Sequence, residues 1–259
     1  MKTPIVTLLT DFGTKDTFVG SMKGVILSIC PEAQIVDLTH AVPPQKVLPG
    51  AFLLKTSMTY FQKGTVHLAV VDPGVGSARK AIAVKSRGHY FVGPDNGLFA
   101  AALRDWGFET AVELTEKKYH LSKISHTFHG RDIFSPVAAH LAKGVPFSKL
   151  GKSLNQLVPG TLPLPRPIKD GFEGEVLWID HFGNLVTNFG NRSLSVPFRL
   201  KVGKKIISRV GYHYAQIKKG ELMVLVGSSG YLEVSMNQGR ADEKLGAGIG
   251  TRVSLLLKS

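Results

Sequence analysis

GTVHLAVVDPGVGSARK, residues 64–80, decides how the chain is read. Its first half is a nearly unbroken run of Val, Leu and Ala. Such a run fits a strand buried on both faces of a parallel sheet. It ends at Asp72, and Pro73-Gly74 turns the chain at once. Arg79 follows on the same short Gly-rich loop. One reading is an ion pair that pins the loop. The other is part of a catalytic site at a strand end. The rest of the chain decides between them.

Working outward, PIVTLLTDFG (4–13) is a first strand ending in Asp11 and Gly13. Residues 16–30 carry Phe18, Met22, Val25, Ile26 and Ile29 at helical spacing. AQIVDLT (33–39) is a second strand, and residues 46–60 form a helix after the VPP breaker. Residues 80–97 read as two strands around a tight Arg-Gly turn, followed by a polar loop. Helices are expected over 97–107, ending at Gly107, and over 131–144, ending at Gly144. Strands alternating with helices predict an α/β domain over residues 1–156, a mostly parallel sheet with helices on both faces. Ligands sit beyond the carboxyl ends of such strands. Those ends carry Asp11, then Asp37, Thr39 and His40, and then Asp72. A stretch with four prolines, LVPGTLPLPRPIKDGF (157–172), predicts a linker over 157–170. After it come runs separated by Gly or Asn turns, and residues 171–259 are expected to form a smaller all-β barrel domain.

Composition narrows the function classes. The 259 residues carry a net charge of +13. Residues 1–156 hold 18 Lys and Arg against 11 Asp and Glu, and residues 157–259 hold 14 against 8. A surplus spread this evenly, with no basic run, predicts no nucleic-acid partner. No apolar stretch approaches the ~20 residues of a membrane span, so no membrane partner is expected. The single cysteine, Cys30, excludes an intrachain disulfide and a cysteine-rich zinc site, and fits a reducing, cytoplasmic setting. The N-terminus reads as a strand and not as a signal peptide.

Polar clusters fall on four N-terminal loops: TDFG (10–13), VVDPGVGSAR (70–79), GPDNG (93–97) and TFHGRD (127–132). Two more lie in the second half, IDHFGN (179–184) and GSSG (227–230) with Asn237. Singly, each has an ordinary reading: Asp11 as a turn cap, Asp95-Asn96-Gly97 as a turn, His129 as a core histidine. Together, clusters of opposite charge beside glycines that let a backbone come close point to a site. Asp11, Asp72, Asp95, Asn96, His129 and Asp132 also compose the donor set of a two-metal phosphoesterase. Against that reading, no pair has a short metal-binding spacing, and Arg79 puts a cation where a second metal belongs.

TDFG, VVDPGVGSAR, GPDNGL, FHGRDIF and IDHFGNLVTN together resemble the S-adenosyl-L-methionine hydroxide adenosyltransferase family, relatives of the fluorinase and chlorinase enzymes. The likeness runs from residue 5 to about residue 250. It implies an N-terminal α/β domain, a C-terminal β-barrel and a homotrimer with active sites between subunits. It implies hydrolysis of S-adenosyl-L-methionine (SAM) to adenosine and L-methionine, with no metal and no cofactor. Asp72, Arg79 and His129 match the catalytic set. Asp11 would hold the ribose hydroxyls, Asp180 the methionyl ammonium, Phe182 the adenine face and Asn184 its edge. Ser228 would hold the methionine carboxylate, and Asn237 joins the substrate-binding residues. Two positions depart from the halogenating relatives: Ser229 stands where some carry Arg, and Gln45 where they carry Trp. Halide transfer, a non-catalytic SAM or adenosine sensor and the metal-dependent phosphoesterase are the alternatives.

Overall fold

A computed structural model describes residues 3–160, 162–191 and 197–257. The chain divides into two units, Met1–Thr161 and Leu162–Ser259. The first contains β1 (Ile5–Thr10), α1 (Phe18–Ile29), β2 (Gln34–Thr39), α2 (Val47–Met58), β3 (Val66–Val70), β4 (Ala81–Ser86), β5 (His89–Pro94), α3 (Ala100–Trp106), β6 (Thr110–Glu113), α4 (Ser135–Ala142) and β7 (Lys152–Leu154). Its seven strands lie in the order β2-β1-β3-β5-β4-β6-β7.

The expectation of a mostly parallel sheet is corrected. β2, β1, β3 and β5 run parallel, but β4, β6 and β7 add on antiparallel. The reason is the Arg87-Gly88 turn. Both residues take left-handed backbone, φ 47° and 81°, and return the chain within two positions. A two-residue connection makes only antiparallel neighbours, since parallel ones need a crossover. β6 and β7 extend the sheet from that hairpin.

Both faces of the sheet are covered. Val6, Leu8, Leu68 and Val92 face Met22 and Ile26 of α1 and Val137 of α4 in one core. Alternation sends Thr7, His67 and Phe91 to the opposite face, where Phe91 and His89 pack on Trp106 of α3. Burial on both sides explains the apolar run of β3, every residue of which is buried.

The second unit contains β8 (Arg166–Ile168), β9 (Gly171–Ile179), β10 (Leu185–Gly190), β11 (Phe198–Val202), β12 (Lys205–Ile207), β13 (Leu222–Val226), β14 (Tyr231–Met236), α5 (Ala241–Leu245) and β15 (Arg252–Leu257). Its antiparallel sheet runs β12-β11-β15-β9-β10-β14-β13, with β8 on β9. β12 and β13, at the ends of that path, touch, so the sheet is nearly a closed barrel. α5 is a short helix in a half expected to be all-β. Within the Pro-rich stretch read as a linker, Arg166–Ile168 pairs with β9.

Candidate active site

Buried β3 delivers Val71 and Asp72 to the sheet's carboxyl edge, beside the end of β1, which is in parallel register with it. The loop that follows is locally determined. Val75 N–H donates to Asp72 O at 3.2 Å, and the Ser77 hydroxyl donates to Gly74 O at 2.6 Å. Gly76 has φ 78°, and a Cβ there would stand 2.6 Å from the His126 carbonyl oxygen, so only glycine fits. The loop therefore folds back and brings Arg79 onto Asp72. Arg79 Nε donates to both Asp72 oxygens, at 2.9 and 3.0 Å, and Nη2 donates to Oδ2. Their side chains are only 10% and 5% exposed, and the guanidinium carbon lies 5.2 Å from the centre of the Phe134 ring.

His129 arrives from a different element. It caps a π-helical turn, Gly130–Phe134, that leads into α4. Turns of this kind reset side-chain direction and recur at functional sites. Gly130 is wedged against Phe128, Met22 and Phe12, and Phe128 packs edge-on to Phe12 and Phe18. Asp132 is fully buried and structural: it accepts from Arg131 Nε at 2.6 Å and from Ser125 N–H at 2.8 Å. The anchored turn sets His129 Nδ1 2.9 Å from Arg79 Nη2. A guanidinium only donates, so Nδ1 is the acceptor and the neutral ring carries its proton on Nε2. Burial first, and the Arg79 charge second, lower the His129 pKa from its ordinary 6.5.

The remaining N-terminal clusters have defined roles. Asp11 Oδ2 accepts the backbone N–H of Gln45 at 2.7 Å, and Gln45 has φ 65°. Asp95 is buried and accepts Val158 N–H at 2.9 Å; burial raises its pKa. Asn96 donates to Val71 O at 2.8 Å and so braces the residue before Asp72. The acids of the two-metal donor set thus each have a protein partner. Among the described residues, no three His, Cys, Asp or Glu side chains gather as a metal site.

The second unit holds a cleft of about 610 Å³. Phe182, Asn184 and Asn237 line it, as do Tyr214, Met236 and Arg240. Asp180 shapes the approach: its Oδ1 accepts Phe182 and Asn184 N–H, both at 2.9 Å, and its Oδ2 accepts Asn184 Nδ2 at 2.8 Å. That turn projects Phe182 outward, 72% exposed. Ser228 is exposed in the β13–β14 turn and is not among the cleft-lining residues. Asn237 Nδ2 donates to Ile217 O at 2.7 Å. Tyr214, Met236 and Arg240 escaped the sequence reading. Arg240 carried a local signal, as the cap of α5 with Asp242 and Glu243 in its first turn. Tyr214 carried none, because its loop meets the cleft only in the folded barrel.

The model of the SAM hydroxide adenosyltransferase N-terminal domain matches residues 6–151, and that of the C-terminal domain matches residues 174–254. The chain is 44% identical to the (R)-S-adenosyl-L-methionine hydrolase of Salinispora tropica, over 97% of each protein. It is 30% identical to a fluorinase from an Actinoplanes species, over 74% of this chain and 73% of that one. A crystal structure of a conserved protein from Thermotoga maritima superposes with a TM-score of 0.92 at 35% identity, covering 97% of this chain and 99% of that one. With both halves matched in order, each within its own structural unit, the chain belongs to the SAM hydroxide adenosyltransferase family.

Proposed function

We propose that this chain hydrolyses SAM to adenosine and L-methionine. The observation that carries the reading is a single guanidinium, Arg79, bonded at once to Asp72 and to His129 Nδ1. Water attacks the ribose C5′ in line with the C–S bond. The new C5′–O bond forms as the C–S electron pair returns to sulfur, and one proton is released. The leaving group is a neutral thioether, so its departure calls for no Lewis acid and no resident cofactor.

The protein's task is therefore to sharpen the water. None of the four bonds that tie Arg79 to Asp72 and His129 uses Nη1, whose donors remain for an incoming water or nascent hydroxide. Asp72 holds the guanidinium plane. His129 stays neutral because its pKa is lowered, and it accepts the proton once the Nδ1–Arg79 bond opens. Holding the water about 3–3.5 Å from C5′ supplies much of the acceleration.

In the same reading Asp11 holds the ribose hydroxyls, Phe182 and Asn184 bind the adenine, Asp180 takes the ammonium, Ser228 the carboxylate, and Asn237 completes the substrate set. A homotrimer, with the catalytic loops of one subunit meeting the C-terminal cleft of the next, and a cytoplasmic location belong to this proposal.

Turnover of SAM in ¹⁸O-water tests it. Adenosine labelled at its 5′ oxygen, together with methionine, is expected. Absence of both products defeats the hydrolase, and 5′-chloro-5′-deoxyadenosine in chloride buffer would show halide transfer instead.

A further inference from the structure

Glu233, on β14, is a carboxyl group only 5% exposed inside the second unit. A group so far from water needs partners. Its Oε1 accepts the Tyr214 hydroxyl at 2.8 Å and the Ser235 hydroxyl at 3.0 Å. Its Oε2 presses on Gly227, leaving no room for a side chain where the 227–230 turn begins. Glu233 itself does not line the cleft, but Tyr214 does.

Tyr214 opens a short 3₁₀ turn, Tyr214–Gln216, in the long connection between β12 and β13, and is 44% exposed. A half-exposed ring on a loop has many rotamers to lose when a ligand packs on it. Its hydroxyl is tied through Glu233 to the barrel wall. Burial, then Glu233, push the phenol pKa up to about 12, so the hydroxyl keeps its proton and donates.

We propose that Glu233 is a positioning residue for substrate recognition: by holding the Tyr214 hydroxyl, it fixes one wall of the nucleoside cleft. This rests on the reading of that cleft as the nucleoside site. Preorganising a wall lowers the ordering cost of binding and leaves the reacting atoms untouched. Its loss belongs in KM and not in kcat.

The test measures adenosine binding by calorimetry alongside SAM turnover. Tyr214→Phe and Glu233→Ala are each expected to weaken adenosine binding and raise KM about tenfold, the worth of one good hydrogen bond. Turnover number should stay within about twofold. Glu233→Gln keeps the accepting oxygen and should restore most of the affinity. The Tyr214→Phe/Glu233→Ala double variant should be no weaker than either single one, since both break the same link. Additive losses, unchanged affinity, or a Gln variant as weak as the Ala variant would overturn the proposal. If Glu233→Ala does not fold, Tyr214→Phe and Glu233→Gln still decide. A wild-type protein that binds adenosine without turning over SAM defeats the hydrolase and leaves this inference standing; one that binds neither defeats both.

Discussion

Arg79 joins groups that lie 7 and 50 positions away from it, and its shape is as necessary as its charge. Lysine would keep the charge but lose the planar fork that bonds Asp72 and His129 together. Arg79→Lys should therefore lower kcat by about 100-fold or more while the fold persists, read by steady-state kinetics with circular dichroism. A variant turning over normally would mean the ion pair only pins its loop. In the proposed reaction His129 sets the pH response. Burial and Arg79 lower its pKa below 6.5, so the ring is neutral at pH 7 and charges only under more acid conditions. The profile of kcat/KM should be level from pH 8 down past 6.5 and fall below it. A fall centred above 6.5 would remove His129 as the neutral acceptor. Both residues were legible in the sequence, Arg79 on the loop that Gly76 makes possible and His129 next to Gly130. Asp95 and Asp132, equally prominent, are held by Val158 and by Arg131 and Ser125. Nothing in their spacing distinguishes a buried structural acid from a catalytic one.

At the scale of elements, the 72–79 loop depends on Gly76. Alanine there must adopt φ 78° and meet the His126 carbonyl oxygen. Gly76→Ala should cost about 1–3 kcal/mol in denaturant unfolding. It should lower kcat as well, because His126 leads into the turn that carries His129. Gly74→Ala is the control. Its φ is not left-handed, and its nearest neighbours, at 3.3 and 3.4 Å, are side chains of the same loop, so its stability cost should be smaller. The element reading of the sequence was strong where the apolar pattern was clear, in the helical spacing of α1 and the unbroken run of β3. It missed β6 and β7, of four and three residues, since so few positions carry no period. The Arg87-Gly88 hairpin was visible in the sequence. The alternation of strands and helices spoke for parallel pairing, and one two-residue turn set the pairing of three of the seven strands.

The whole molecule carries a stability signature in its buried histidines. His67 donates to or accepts from Thr7 at 2.8 Å and His89 at 3.2 Å, and burial, then the His89 charge, lower its pKa from 6.5 to about 3. The unfolded chain takes up that proton below pH 6.5, and the folded one refuses it until about pH 3. Stability should be level above pH 7 and fall by about 1.4 kcal/mol per pH unit per such histidine below 6.5. His89, His120, His129 and His140 are lowered too, whereas Asp95 and Glu233, raised by burial, act in the opposite sense. Urea midpoints at pH 7.5, 6 and 5 measure the balance; a fall toward pH 5 is expected, and equal or rising midpoints would overturn the prediction that the buried histidines outweigh the raised acids. The sequence by itself determined the strands that end in acids, the glycines those loops require, and the change of period near residue 160. These are local matters of sterics and burial pattern. Only the tertiary structure decided strand direction beyond β5, the meeting of His129 with Arg79, and the Glu233–Tyr214 wall of the cleft. Each of those depends on strand order and loop approach across many residues, which no local propensity encodes.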